Sequence, residues 1–156
     1  MKGKYRKAVF IVTYRKENYK NKDKILYLLL KRKLHWTGWE FPKGGRKEKE
    51  SIAKTIVREL KEETGQNAEN ICKYNYHGRY KYDRPYLNRK GFIGQTFILY
   101  SAEIKNKKVK LDRKEHLAYR WLTFEGAIKK LRWQNQKKSL KIVNKHLENK
   151  KANTKK

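Results

Sequence analysis

The stretch from Gly44 to Gln66, GGRKEKESIAKTIVRELKEETGQ, constrains the fold more than any other part of this sequence. Two adjacent glycines precede a segment in which apolar residues recur at helical spacing along one stripe. The residues of that stripe are Ile52, Ala53, Ile56, Val57 and Leu60. Ser51 is a suitable N-cap, and Gly65 supplies the positive φ that commonly ends a helix. We predict a helix over residues 51–64 that packs on the core through this stripe.

The second half of the predicted helix concentrates carboxylates in a very basic chain. The protein has 43 Lys and Arg against 15 Asp and Glu, a net charge of +28. Glu59, Glu62 and Glu63 converge on one side, because residues i, i+3 and i+4 share a helix face. They repel one another and lie near the helix C-terminus, where the macrodipole disfavours negative charge. Two interpretations are open: a solvated acidic face, or a site for a hard cation such as Mg²⁺ or Mn²⁺.

The residues around these carboxylates extend the pattern. Gly44 is followed after five residues by Glu50 and, after seven more, by RELKEETG at residues 58–65. This spacing resembles the Nudix box, the signature of the Nudix hydrolases. It matches at every defining position except the last, where Gln66 stands in place of the usual aliphatic residue. The chain is identified as a member of that family.

The resemblance implies both a fold and a chemistry. The expected fold is α/β (α+β), the Nudix fold, an α/β/α sandwich with a mixed β-sheet between helices. The expected reaction cleaves a nucleoside diphosphate linked to another group, with Mg²⁺ or Mn²⁺ as cofactor. Metal ions neutralise the diphosphate and lower the pKa of a bound water, which attacks phosphorus in line.

The resemblance also implies roles for individual residues of the box. Arg58 and Glu50 are expected to form the ion pair that orients the helix. Glu59 is the candidate for the carboxylate that takes the proton from water. The expected metal ligands are the carbonyl of Gly44 and the catalytic carboxylates Glu59, Glu62 and Glu63.

Two flanking segments resemble the branch of the family that hydrolyses diadenosine tetraphosphate. One is HWTGWEFPKGG at residues 35–45, and the other is EHLAYRWLTF from Glu115, followed by a terminal helix. By this resemblance Glu115 is a further catalytic carboxylate, acting as metal ligand or as base. An ordinary loop glutamate is the alternative for Glu115, and Glu103 is the second candidate for the role.

Basic and aromatic residues outside the box are candidates for substrate binding. Lys43 precedes the glycine turn and can meet a phosphate as a point charge. His35 is a candidate for contacting phosphate or protonating a leaving group, and a structural histidine is the alternative. The segment 74–90 mixes tyrosines with cations, which suits base stacking and phosphate binding. A hairpin with a solvated basic face is the alternative there. The candidate contacts in it are Lys81, Tyr82 and Arg89.

The rest of the chain predicts a single Nudix domain over residues 1–149, with a basic, disordered tail over 150–156. Strands are predicted over residues 5–15, 25–30, 71–78, 92–104 and 118–122, with a polar loop over 16–24. A helix is predicted from Thr123 through about Leu131, and a final helix over 135–147, packed through Leu140, Val143 and Leu147.

Composition narrows the compartment and the partners. Cys72 is the only cysteine, so an intrachain disulfide is excluded. No segment approaches the roughly 18 apolar residues that span a bilayer, and the N-terminus lacks the apolar core of a signal peptide. We expect a cytoplasmic protein, monomer or weak dimer, without membrane association. The positive charge favours a nucleoside polyphosphate substrate or RNA as partner, with compositional bias as the alternative explanation.

Three functions are open at this level. The first is a pyrophosphatase that converts diadenosine tetraphosphate to ATP and AMP. The second is an RNA 5′-end pyrophosphohydrolase or decapping enzyme, favoured by the surplus positive charge. The third is a non-catalytic Nudix module that binds nucleotide or RNA, and the presence of all three box glutamates weighs against it.

Overall fold

The computed structural model describes residues 3–154. Within these residues, seven strands form one sheet: Lys4–Tyr19 (β1), Lys22–Arg32 (β2), Gly38–Glu40 (β3), Lys43–Gly45 (β4), Glu69–Lys81 (β5), Phe92–Glu103 (β6) and His116–Leu122 (β7). The helices are Ile52–Thr64 (α1), Phe124–Lys130 (α2) and Gln134–Thr154 (α3), with a short 3₁₀ turn at Leu87–Arg89. Within residues 3–154, no helix is both long and apolar enough to cross a membrane.

The sheet is mixed and lies between helices. Its main order is β3-β2-β1-β6-β5, with β4 added to β1 and β7 added to β2. β1 and β6 run parallel, and the other pairs are antiparallel. Side chains of β1 alternate between the faces, so Val9 and Ile11 pack with α1, whereas Phe10 and Val12 pack with α2 and α3. The predicted α/β/α sandwich is confirmed.

Helix α1 has the predicted ends but a different buried face. The Ser51 hydroxyl accepts a hydrogen bond from the Lys54 amide, and Gly65 closes the helix with a φ of 78°. Ile56 and Leu60 are fully buried as predicted, whereas Ala53 is exposed and Val57 is 45% exposed. The predicted stripe is therefore partly wrong, because the buried arc turns toward β4 and takes in carboxylates instead.

The polar loop predicted over residues 16–24 is wrong, because β1 and β2 continue as a hairpin. Their ladder runs to the pair Tyr19↔Lys22, which leaves a two-residue turn. Lys20 and Asn21 have φ values of 50° and 62°, the backbone that a tight hairpin turn requires. The segment is polar because this ribbon is solvated, so its composition resembled that of a loop.

The disordered tail predicted over residues 150–156 is wrong for its first part. Helix α3 continues through Thr154, beyond the predicted end at Leu147. The Lys151 ammonium donates a hydrogen bond to the Asp23 carbonyl, which joins the end of the helix to the β1–β2 hairpin. The last two predicted tail residues, 155 and 156, lie outside the described residues.

Candidate active site

The turn predicted at Gly44 and Gly45 is wrong, because both glycines lie in strand β4, which brings them against the helix that carries the carboxylates. Gly44 and Gly45 pair with Val9 and Ala8 of β1. A Cβ atom on Gly44 would lie 2.0 Å from Cδ of Glu59, a separation that real side chains do not show. Gly44 is therefore required for the close approach between β4 and α1.

Replacing Gly44 with alanine is expected to displace Glu59, because the added methyl group and the carboxyl group cannot both fit. We expect a loss of about 1–3 kcal/mol in unfolding free energy, typical of overpacking, and a fall in metal-dependent turnover. Melting temperature and kcat/KM measure the two effects. Gly126→Ala is the matched control, since its nearest neighbour would be 3.4 Å away. Wild-type turnover by Gly44→Ala would contradict the proposed role of this contact.

Arg58 joins the end of β4, the residues before α1 and the carboxylates through its hydrogen bonds. Its guanidinium donates two hydrogen bonds to Glu50, at 2.8 and 2.9 Å, and another of 2.9 Å to the Gly45 carbonyl. It also contacts Glu59 at 2.8 Å and Glu62 at 3.3 Å. The hydrogen bonds from Arg58 lower the pKa of Glu50 to about 2. The Arg58–Glu50 ion pair expected from the sequence is present.

The three box glutamates do not share one environment. Glu59 and Glu63 are buried, whereas the side chain of Glu62 is 51% exposed and bound to Arg58. A helix turns about 100° per residue, which puts Glu62 at the solvent edge of the arc that Glu59 and Glu63 occupy. The structure brings two of the three predicted carboxylates inside and leaves Glu62 at the rim.

Glu63 lies beside Glu115 and His116. Each of the three residues offers one atom that could bind a metal, and these three atoms lie within 4.8 Å of one another. The loop that carries Glu115 is fixed to the end of β2, because the Lys33 amide donates to the Glu115 carbonyl at 2.9 Å. Oε2 of Glu63 is buried and has no hydrogen-bond partner among the described residues. The structure thus places Glu115 next to the box, as its predicted role requires.

Burial makes the ionised form of Glu59 and Glu63 unfavourable, although Glu59 is ion-paired with Arg58. Burial raises the pKa of Glu63 well above its usual range, and the nearby charges of Glu59, Glu40 and Glu115 add to the shift. Burial also raises the pKa of Glu59. Mg²⁺ and Mn²⁺ prefer oxygen ligands of this kind and would cancel the repulsion. The unpartnered Oε2 of Glu63, the neighbouring carboxylate of Glu115 and the close packing of Gly44 on Glu59 fit a divalent cation.

Glu103, the second candidate for the extra carboxylate, lies outside this group. It is buried at the end of β6, where Oε1 accepts a hydrogen bond of 2.6 Å from Asn70. Its other oxygen lies 3.7 Å from the Lys105 ammonium. Both contacts lie at the β5–β6 edge of the sheet. Glu103 therefore has a structural role there and does not face the carboxylates of the site.

A buried cluster of charges, absent from the sequence predictions, lies under the site. Glu40 is 1% exposed and lies 3.0 Å from Arg32, 3.2 Å from Lys43 and 3.5 Å from His116. Burial alone raises the pKa of Glu40, but Lys43, His116 and Arg32 outweigh it and lower the pKa to about 2. In the sequence, Glu40 stands between the aromatic residues Trp39 and Phe41. That position was the signal from which its burial could have been predicted.

A cleft of about 420 Å³ opens next to this cluster. The structure brings all five predicted substrate-binding residues to its walls: His35, Lys43, Lys81, Tyr82 and Arg89. Lys43 and Arg32 line the cleft and also contact Glu40. The cleft therefore adjoins the buried charge cluster, which reaches His116 beside Glu63. Further lining residues that the sequence reasoning did not identify as contacts include Tyr86, Arg132 and Trp133.

His35 lies in the cleft wall, where burial and nearby positive charge favour the neutral side chain. Its Nε2 lies 3.0 Å from Oδ1 of Asn88, and its ring centroid is 3.9 Å from that of Tyr86. Burial and the charge of Arg89 lower its pKa. A neutral imidazole suits a hydrogen bond to phosphate better than protonation of a leaving group at neutral pH.

Comparisons with known proteins show which family and which solved structures this chain is similar to. The family model for the NUDIX domain matches residues 4–142. A C. elegans Ap4A hydrolase binary complex has 26% identity and a TM-score of 0.70, covering 92% of this chain and 98% of that one. A C. elegans Ap4A hydrolase structure has 25% identity and a TM-score of 0.65, covering 92% of this chain and 99% of that one. The E. coli dihydroneopterin triphosphate pyrophosphohydrolase has 17% identity and a TM-score of 0.66, covering 87% of this chain and 94% of that one. This likeness shows the shared fold. Among curated protein sequences none matches this chain.

Proposed function

Because this chain belongs to the Nudix family and is a Nudix pyrophosphohydrolase, we propose that it hydrolyses dinucleoside polyphosphates such as diadenosine tetraphosphate, to ATP and AMP. Family substrates are nucleoside diphosphates linked to another group. The observation that carries the proposal is the cleft of about 420 Å³ beside the carboxylates, which combines aromatic rings with cations. The similarity to the C. elegans Ap4A hydrolase supports the same substrate class.

The aromatic part of the cleft suits a nucleobase. The rings of Tyr82 and Tyr86 lie 5.2 Å apart, and those of Trp36 and Trp133 lie 5.6 Å apart. Stacking on an aromatic side chain contributes about 1–3 kcal/mol per base. These four rings give an adenine a stacking surface within a volume typical of small-molecule sites.

The cationic part of the cleft suits a chain of phosphates. Arg89 lies 5.2 Å from the centre of the Tyr82 ring, so it joins the aromatic part to the cationic part. Burial by itself lowers the pKa of Lys43, but Glu40 outweighs that effect and raises it. Lys43 therefore stays a cation at the start of β4, next to Gly44, where it can orient a phosphate toward the carboxylates.

We infer that Mg²⁺ or Mn²⁺ is the cofactor, and that box carboxylates together with Glu115 hold it. The proposed ligands are Glu59, Glu62, Glu63, Glu115 and the carbonyl of Gly44. When bound, the cation supplies positive charge to the diphosphate and makes a water more acidic. Glu59 is the proposed base, on the basis of its position in the box and of its burial against Gly44. Arg58 holds the Glu59 carboxylate in place.

A substrate comparison tests this proposal. We expect kcat/KM with Mg²⁺ to be at least about tenfold higher for diadenosine tetraphosphate than for 5′-triphosphorylated RNA, a difference of about 1.4 kcal/mol. Salt must be held constant, because the affinity of a cationic protein for RNA falls steeply with salt concentration. A preference for RNA would overturn the proposal and favour an RNA 5′-end pyrophosphohydrolase.

Replacing Tyr82 with leucine tests the stacking surface. We expect KM for diadenosine tetraphosphate to rise about fivefold or more, since stacking contributes about 1–3 kcal/mol, while kcat changes little. Tyr82→Phe keeps the ring and should retain most of the affinity. Tyr19→Leu, at an exposed tyrosine of the β1–β2 hairpin, is the control. Equal effects at positions 82 and 19 would exclude the stacking role.

A further inference from the structure

A second groove lies on the opposite face of the sheet from the cleft. It has a volume of about 870 Å³, and its cations are Lys7, Arg46, Lys73 and Arg79. We call these residues, with His77 and Ile98, the basic groove. Val9, which packs against α1, pairs with Ile98, and Ile98 pairs with His77. The basic groove is therefore on the α1 side of the sheet, whereas Phe10 and Lys43 of the cleft are on the other side.

The groove exists because α1 does not reach the edge strand β5. Helix α1 packs on β1 and β4, and β5 lies at one end of the strand order. Alternate residues of β5 are consequently exposed on this side, among them Lys73, Asn75, His77 and Arg79. The intervening tyrosines pack against the core below α2 and α3.

The charge of the groove is of one sign. Among the described residues that line it, four are Lys or Arg and none is Asp or Glu. Lys7 and Arg79 both pair with Thr96, so they stand in one row across three strands. At the usual strand spacing that row is about 10 Å wide, and Lys73 extends the positive charge along β5. Such an arrangement is complementary to a polyanion that lies along the strand.

The other groups of the groove suit RNA in single-stranded form. Ile98 gives an apolar floor, and the guanidinium of Arg79 is held 5.0 Å over the ring of Tyr5. Asn75 and Thr96 supply hydrogen-bonding side chains without charge. Unpaired bases can pack on apolar and aromatic surface, and neutral polar groups can bond the 2′-hydroxyl.

We infer that the basic groove binds single-stranded RNA, with its phosphates on Lys7, Arg46, Lys73 and Arg79. This binding is separate from hydrolysis, because none of these four cations lines the cleft. Arg46 donates to the backbone carbonyl of Glu50 and not to its carboxylate. The protein then has two anion sites on opposite faces of one sheet: the cleft for a small nucleotide, and the basic groove for a polymer.

The test uses two double variants with the same change in net charge. Lys73→Gln with Arg79→Gln alters the groove, and Lys141→Gln with Lys145→Gln alters exposed lysines of α3. The affinity of the full chain for a labelled RNA of about 12 nucleotides is measured by fluorescence anisotropy between about 50 and 200 mM salt. A DNA of the same sequence and anionic phospholipid vesicles are measured in parallel.

We expect the groove variant to bind RNA at least about fivefold more weakly than wild type. The slope of log K against log salt should become less steep by about 1.4, because each of the two lost phosphate contacts contributes about 0.7. The α3 variant should change affinity by less than about twofold. Equal loss in both variants would overturn the proposal, as would equal affinity for DNA or a groove effect on vesicles alone. Turnover of diadenosine tetraphosphate should stay unchanged in both variants, so failure here is distinct from failure of the proposed enzymatic function.

Discussion

Glu63→Gln is expected to lower the Mg²⁺-dependent kcat/KM for diadenosine tetraphosphate by at least about 1000-fold, a loss of about 4 kcal/mol in transition-state stabilisation. Glutamine keeps the size of the side chain but removes the charge that a cation requires. Glu63 is only 3% exposed and adjoins Glu115 and His116, so its charge lies inside the proposed metal site. Steady-state kinetics measure the effect. Glu48→Gln, at an exposed position before α1, is the control.

The same substitution should stabilise the metal-free protein. A carboxyl group whose pKa is raised by folding favours the folded state while it is protonated, and this contribution is lost as pH rises through the folded pKa. In EDTA at about pH 8, Glu63→Gln should therefore melt above wild type, and the difference should shrink at lower pH. Adding Mn²⁺ should raise the melting temperature of wild type more than that of the variant. Retained turnover by Glu63→Gln would contradict its assignment as a metal ligand.

Glu40→Gln is expected to destabilise the protein by about 3–5 kcal/mol, because it leaves the buried Arg32 and the largely buried Lys43 without their counter-charge. Arg32 and Lys43 both form their ion pair with Glu40, and Arg32 is 4% exposed. At about 2–4 °C per kcal/mol for a chain of this size, the melting temperature should fall by about 10 °C. Glu17→Gln breaks the Arg15–Glu17 pair at the surface and should cost less than about 1 kcal/mol.

The pH dependence of the Glu40 effect has a definite sign. Its pKa is lowered to about 2 in the folded protein, so its contribution is present above its unfolded pKa and lost as pH falls through the folded value. The difference between wild type and Glu40→Gln should therefore persist from neutral pH to about pH 4.5 and diminish toward pH 2. Equal melting shifts for the Glu40 and Glu17 variants would show that the buried cluster contributes no more than a surface pair.

Features encoded by local spacing could be predicted from the sequence. Helix α1, its caps and the Arg58–Glu50 pair depend on residues within 16 positions of one another, and they are present as predicted. The buried face of α1 was less predictable. Glu59 and Glu63 are turned inward because β4 and the loop before β7 lie against them, a tertiary effect that helical periodicity does not contain.

Features that depend on strand register could not be predicted. Glu40 meets Arg32 and His116 because β2 pairs with β3 through Leu30↔Glu40 and with β7 through Arg32↔His116, after an irregularity in the ladder. A shift of one residue would turn each side chain to the other face. The β1–β2 hairpin was missed for a different reason, since its turn uses Lys20 and Asn21 in place of glycine.

Hydrolysis of diadenosine tetraphosphate in oxygen-18-labelled water tests the central claim most directly. With Mg²⁺ present, we expect equal amounts of ATP and AMP, with one labelled oxygen per turnover found in one of the two products by mass spectrometry. Glu63→Gln should give neither product. Formation of two ADP molecules, or no Mg²⁺-dependent turnover by the folded wild-type protein, would contradict the proposed attack near one end of the polyphosphate.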